Sequence, residues 1–138
     1  MASLPIPFLR KTSQEPPLEL GSQAKARILS ASYYDALRRT RHMLLEEQGY
    51  EVVSTDRLES TLEQCKLGGF DLFILGHSIP QEDKQKMVEA FRQHCSAPII
   101  SLRRHPAEGI VDTADYHIDP DPKPLLEFIT DLVRQKAG

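Results

Sequence analysis

A chain of 138 residues has room for one domain, and its twenty Asp and Glu against seventeen Lys and Arg leave a net charge of -3. So small an acidic excess argues against a nucleic-acid binder, which needs a basic stripe to neutralise phosphates. No run approaches the roughly 18 apolar residues of a membrane span, and the amino terminus lacks the charged and apolar blocks of a signal peptide, so a cytoplasmic, membrane-free domain is expected.

In chain order, residues 1–25 carry Pro5, Pro7, Pro16 and Pro17, which remove backbone donors and exclude a helix or a central strand. A flexible extension with one apolar patch, Ile6 to Leu9, is expected there, and residues 26–138 form the domain. Ile28 to Ala31 reads as a first strand. Asp35 to Gln48 has helical period, with Leu37, Leu44 and Leu45 on one side, and Gly49 stops it. Tyr50 to Val53 begins a second strand. Asp56, with Glu59 three residues on, is suited to cap a second helix whose inner stripe is Leu58, Leu62 and Cys65. Gly68 and Gly69 end that helix. Leu72 to Leu75 is apolar throughout, as a strand covered on both faces must be. A third helix follows, with Asp83 near its start and Met87, Val88 and Phe91 inside. Ile99 to Leu102 is a fourth strand and Tyr116 to Ile118 a short fifth. Asp121 then Pro122 open a last helix with the stripe Leu125, Phe128, Ile129, Leu132 and Val133. The cysteines, Cys65 and Cys95, are too few for a disulfide scaffold and are expected to be free thiols at the ends of neighbouring helices.

Strands alternating with helices require parallel pairing and right-handed crossovers, hence a three-layer α/β sandwich. One link breaks the rhythm. Arg103 to Thr113 contains Pro106 and Gly109 and has hardly any apolar period, which predicts a loop or a single turn, so that the fourth helix is shortened or missing.

Several short stretches point to one family. Leu44-Leu45-Glu46-Glu47-Gln48-Gly49-Tyr50-Glu51-Val52 joins the first helix to the second strand, and Phe70-Asp71-Leu72 followed by Ile79-Pro80 frames the third strand. Ala97-Pro98-Ile99-Ile100 leads into the fourth strand, and Ala114-Asp115-Tyr116 with Pro120 surrounds the fifth. In this order and spacing, the chain from Ala26 to about Arg134 resembles the CheY-like receiver domain of bacterial response regulators in two-component signalling. That resemblance implies a flavodoxin-like, five-stranded parallel sheet of order 2-1-3-4-5. It also implies a family chemistry, phosphoryl transfer to an aspartate after the third strand. Two acidic residues after the first strand hold Mg²⁺, a hydroxyl after the fourth and a lysine after the fifth contact the phosphoryl group, and these cations offset its charge.

Carried over position by position, the acidic pair falls on Ser32 and Tyr33, the phosphoacceptor on Gly76, the hydroxyl on Arg103 and the lysine on Asp119. The pocket is therefore expected to be degenerate: no phosphoacceptor, no Mg²⁺ site, no cofactor, no catalysis. What the resemblance leaves is a stand-alone pseudo-receiver that acts in signalling by contact with a protein partner, with pairing of two copies left open.

Other candidates lie around the same edge. Arg103 and Asp119 stand on neighbouring strands and are expected to form an ion pair in the vacant pocket. Tyr116 lies where the family often carries a reporting aromatic; it reads either as a half-buried strand residue or as part of a partner face. His77 and Ser78 follow the third strand, and with Ser32 and Asp119 they raise a second reading, a small-molecule binder or minor hydrolase; no G-x-S-x-G elbow supports it. Phosphorylation at a non-standard residue such as His77 is a third. A metal site from His77, His105 or His117 lacks ligand spacing on any one element. Finally, Arg38, Arg39 and Arg41 precede Glu46 and Glu47 on the first helix, an order that opposes the helix dipole and suits either a solvated face or an acidic partner surface.

Overall fold

A computed structural model describes residues 25–104 and 114–137; the expectations for the amino-terminal extension, for His105 and for most of the Arg103–Thr113 link lie outside the described residues. The strands are β1 (Arg27–Ala31), β2 (Glu51–Thr55), β3 (Leu72–Leu75), β4 (Ile99–Leu102) and β5 (Tyr116–Ile118). The helices are α1 (Asp35–Glu47), α2 (Leu58–Leu67), α3 (Gln81–His94) and α4 (Pro122–Ala137). All strand pairs are parallel, in the order β2-β1-β3-β4-β5. This is the flavodoxin-like order, in which the chain reverses its winding beside β1 and opens a crevice at the carboxyl edge.

The side-chain alternation of the central strands divides the core into two layers. Ile28, Leu72, Ile74, Ile100 and Leu102 face Leu45 of α1 and Leu125 and Ile129 of α4. Leu29, Ala31, Phe73, Leu75 and Ile99 face Cys65 of α2 and Met87, Val88 and Phe91 of α3. The Phe73 and Phe91 rings meet at 4.8 Å, tilted by 39°. Each such fully buried large side chain contributes about 1.5–3 kcal/mol relative to exposure. The two helical layers are built differently: α2 and α3 pack directly against each other, whereas between α1 and α4 lie cavities lined by both helices.

Local signals explain most boundaries. α1 ends where Gly49 takes φ +95°, a conformation that side chains disfavour, and its N–H closes on Glu46 O at 2.9 Å. The start of α2 differs from expectation. The capping position is Arg57 and has no side-chain cap; Asp56 instead pairs with the Arg57 guanidinium at 3.3 Å. The inner face of α2 is also rotated, with Thr61 and Cys65 buried and Leu58 and Leu62 only half-buried. Thr61 can face inward because its hydroxyl bonds Thr55 Oγ1 at 2.7 Å and Arg57 O at 2.7 Å.

The β4–β5 link is clamped at both ends. Arg103 N–H donates to Ile118 O at 2.8 Å. At the other end Asp115 Oδ2 accepts from Ile99 N–H at 2.7 Å and from Arg92 Nη2 at 2.6 Å, while Arg92 Nη1 donates to Ala97 O at 2.8 Å.

Candidate functional site at the carboxyl edge of the sheet

The parallel sheet delivers Ser32, Gly76, Arg103 and Asp119 to one edge, each immediately after its strand. Gly76 is buried against β1. Its N–H donates to Ala31 O at 2.8 Å. A Cβ added there would stand 3.0 Å from Ala31 O, 3.1 Å from Ser32 Cβ and 3.2 Å from Ser32 Oγ. An added side chain at Gly76 therefore requires Ala31 O and the Ser32 side chain to give by a few tenths of an ångström, and packed backbone gives way reluctantly.

The rest of the crevice is occupied by groups that bond one another. Ser32 is 1% exposed, and its hydroxyl lies 3.4 Å from both Tyr34 N and Tyr34 O. Tyr33 reaches across from the end of β1 and donates its hydroxyl to Asp83 Oδ2 of α3 at 2.8 Å. Burial, then that hydrogen bond and the Asp83 charge, push the phenol well above its ordinary range. From the first turn of α3, Lys84 also turns inward. It is 5% exposed, and its ammonium donates to Ser101 Oγ at 3.1 Å and to Leu102 O at 3.1 Å. A fixed cation thus sits at the end of β4, supplied by a helix.

These residues do not fit Mg²⁺. A hard, octahedral cation draws on carboxylates, but the two positions after β1 offer one hydroxyl engaged with its own loop and one phenol already bonded to Asp83. Among the described residues no group of three His, Cys, Asp or Glu side chains could hold a metal ion.

Other candidates are dispersed. Arg103 and Asp119 make no ion pair within 4 Å; Asp119 Oδ1 accepts instead from Asp121 N–H at 2.9 Å, and Asp119 lines a cavity between α1 and α4. The expected pair fails because regular strand geometry ends at Leu102 and Ile118, so Asp119 already belongs to the turn into α4. Neither Ser32 nor Asp119 bonds His77, so no Ser-His-Asp relay is assembled. His77 is half-buried, Ser78 is exposed and His117 is half-buried on β5. Tyr116 is half-buried too, its ring edge-on to Phe128 of α4 at 4.9 Å and 71°.

On α1, Arg38 and Arg39 both pair with Asp35, the latter at 3.0 Å, and the Arg38 hydrogen bond holds the Asp35 carboxyl below its usual range. That carboxylate in the first turn offsets the unfavourable arginines. Arg41 was grouped with them by sequence but faces the core, 7% exposed. Cys65 and Cys95 are free thiols; burial pushes Cys65 up to about 12, with a smaller contribution from Cys95.

The geometry defines a class: the fold is that of a CheY-like receiver domain. Solved structures agree. The N-terminal domain of a response regulator/sensory box/GGDEF protein from Carboxydothermus hydrogenoformans superposes with a TM-score of 0.69 at 18% identity, covering 80% of this chain and 96% of that one. The receiver domain of the hybrid histidine kinase CckA gives 0.63 at 25% identity, covering 78% and 98%. The response regulator TrrA of Thermotoga maritima, solved in complex with Mg²⁺-BeF, gives 0.66 at 24%, covering 77% and 97%. No protein-family model and no curated protein matches the chain.

Sequence reasoning missed Lys84 and placed Arg41 on a solvated or partner-facing surface, whereas both cations are buried. A signal existed. Lys84 stands three and four residues before Met87 and Val88, and Arg41 stands midway between Leu37 and Leu45, so each lies on its helix's inner stripe.

Proposed function

We propose that this chain is a pseudo-receiver: a non-enzymatic signalling module that keeps the receiver fold, works by contact with a protein partner and is not switched by aspartyl phosphorylation. The observation that carries this reading is Gly76. The position after β3 where the family places its nucleophilic carboxylate has no side chain, and Ala31 O approaches to 3.0 Å of where a Cβ would stand. The remaining groups support it. Tyr33 bonded to Asp83, and Lys84 bonded to Ser101 and Leu102 O, tie α3 to the ends of β1 and β4 without any phosphoryl group. A receiver surface held in one arrangement suits constitutive recognition, with input through partner abundance or ligand.

The test is incubation of the full chain with acetyl phosphate and Mg²⁺, followed by intact-mass measurement. The unmodified mass alone is expected. One added phosphoryl group, mapped to any residue including His77, overturns the reading. Light scattering on the same sample determines whether the module acts as one copy or two.

A further inference from the structure

Arg41 has the environment of a ligand-binding group. α1 places it one turn from Leu37 and one turn from Leu45, so the rotation that buries the leucines also buries the guanidinium. It is 7% exposed, and its Nη1 is fully buried with no hydrogen-bond partner. Among the described residues no carboxylate pairs with it, in contrast to Arg27, Arg38, Arg39, Arg57 and Arg92. Desolvation weakens its hold on the proton, yet a guanidinium remains charged at neutral pH. A buried, uncompensated charge is among the costliest features a fold can carry, and it persists where something outside the chain compensates it.

The space for that compensation is present. Arg41 lines a cavity of about 270 Å³ between α1 and α4. Leu37, Leu44, Leu125 and Leu126 form its apolar walls. For scale, an engineered apolar cavity of about 150 Å³ holds a benzene. Among the described residues the other charged groups around it are Arg104, Asp119 and Asp121. Two cations thus stand against two carboxylates among the described residues, so repulsion on an anion grows with its charge and a monoanion is favoured over a multiply charged phosphate.

We propose that the α1–α4 cavity binds a small organic monocarboxylate, its carboxylate on the Arg41 guanidinium and its aryl or branched-alkyl body against the four leucines. A planar guanidinium matches a carboxylate in two-point geometry, which supplies orientation as well as charge. Of the carboxyl-edge positions only Asp119 lines this cavity, and the proposal stands or falls independently of the phosphorylation reading. Ligand there would bridge α1 and α4, both of which line the cavity.

The test uses the full chain with benzoate, phenylacetate and 4-methylpentanoate as probes, and benzamide and inorganic phosphate as controls, read by thermal shift and by amide NMR titration. A carboxylate among the probes is expected to raise Tm with concentration and to shift α1 and α4 amides, benzamide and phosphate doing neither. Arg41→Met is expected to fold at least as well as the wild type without ligand and to lose roughly tenfold or more in affinity. Leu126→Trp, which fills the cavity and leaves Arg41 in place, is expected to abolish the shifts. Absence of binding by all three carboxylates up to roughly 10 mM, well above the millimolar end of specific affinities, overturns the proposal. So does equal binding by benzamide, a response to phosphate alone, or undiminished binding by Leu126→Trp.

Discussion

Gly76→Ala isolates the close approach of β1 and β3 with a single methyl group. At a position without positive φ, replacing glycine by alanine ordinarily stabilises by about 0.4–1 kcal/mol through the unfolded chain. Here the methyl meets Ala31 O at 3.0 Å and Ser32 Cβ at 3.1 Å. Overpacking of that kind costs about 1–3 kcal/mol. The difference is a net loss of roughly 0.5–2 kcal/mol, which at an m-value of about 1–3 kcal/mol/M lowers the urea midpoint by roughly 0.2–2 M. Two of the three short contacts come from the Ser32 side chain, so Ser32→Gly removes them while leaving the carbonyl. The double variant should therefore recover part of the loss, with a coupling of about 0.5–1 kcal/mol in the four-way cycle. Equilibrium urea unfolding followed by circular dichroism measures all four proteins. A Gly76→Ala protein as stable as the wild type, with zero coupling to Ser32, would show that the crevice has room for a side chain and would remove the main support for an inert pocket.

Lys84→Met leaves Ser101 Oγ and Leu102 O short of a donor, and should cost about 1–3 kcal/mol by chemical denaturation, with Ser101→Ala costing less in that background than alone. Tyr33→Phe removes the bond to Asp83 and should cost about 1 kcal/mol near pH 8. Because the folded protein raises the Tyr33 phenol above its ordinary 10.0, the contribution of that group is complete below pH 10 and lost as pH climbs past it; the gap between wild type and variant should therefore narrow in alkaline unfolding titrations. For the thiols, the Cys65 value of about 12 and its burial predict slow alkylation at pH 8, so intact mass after brief iodoacetamide treatment should show one label on the native protein, at the half-buried Cys95, and two after unfolding.

The sheet was legible because its three central strands, Ile28–Ala31, Leu72–Leu75 and Ile99–Leu102, are apolar on both faces, and because alternation with helices dictates parallel order. Gly49 marked a helix end through a conformational demand that few residues meet. The site was less legible, for reasons specific to each residue. Arg41, Thr61 and Lys84 lie on inner stripes, but their polar side chains concealed the helical period that a leucine would have announced. The bonds that make them tolerable, or in the case of Arg41 their lack, depend on elements far away in sequence. Tyr33 and Asp83 are 50 residues apart, and only folding brings their oxygens together. Asp56 looked like a cap from its type and from Glu59 three residues on, yet Arg57 holds the capping position and the Asp56 carboxylate pairs with its guanidinium. Arg103 and Asp119 were adjacent in the expected register, but register predicts side-chain proximity only while both chains remain extended.

The Asp115 clasp bears on how this chain can diversify. One carboxylate fastens the lead-in to β5 both to the first amide of β4 and to the end of α3 through Arg92, and the opposite end of the link is fastened by Arg103 N–H. How far the chain can vary at this corner is set by that carboxylate, because any substitution of Asp115 releases the β4 amide and the Arg92 guanidinium together.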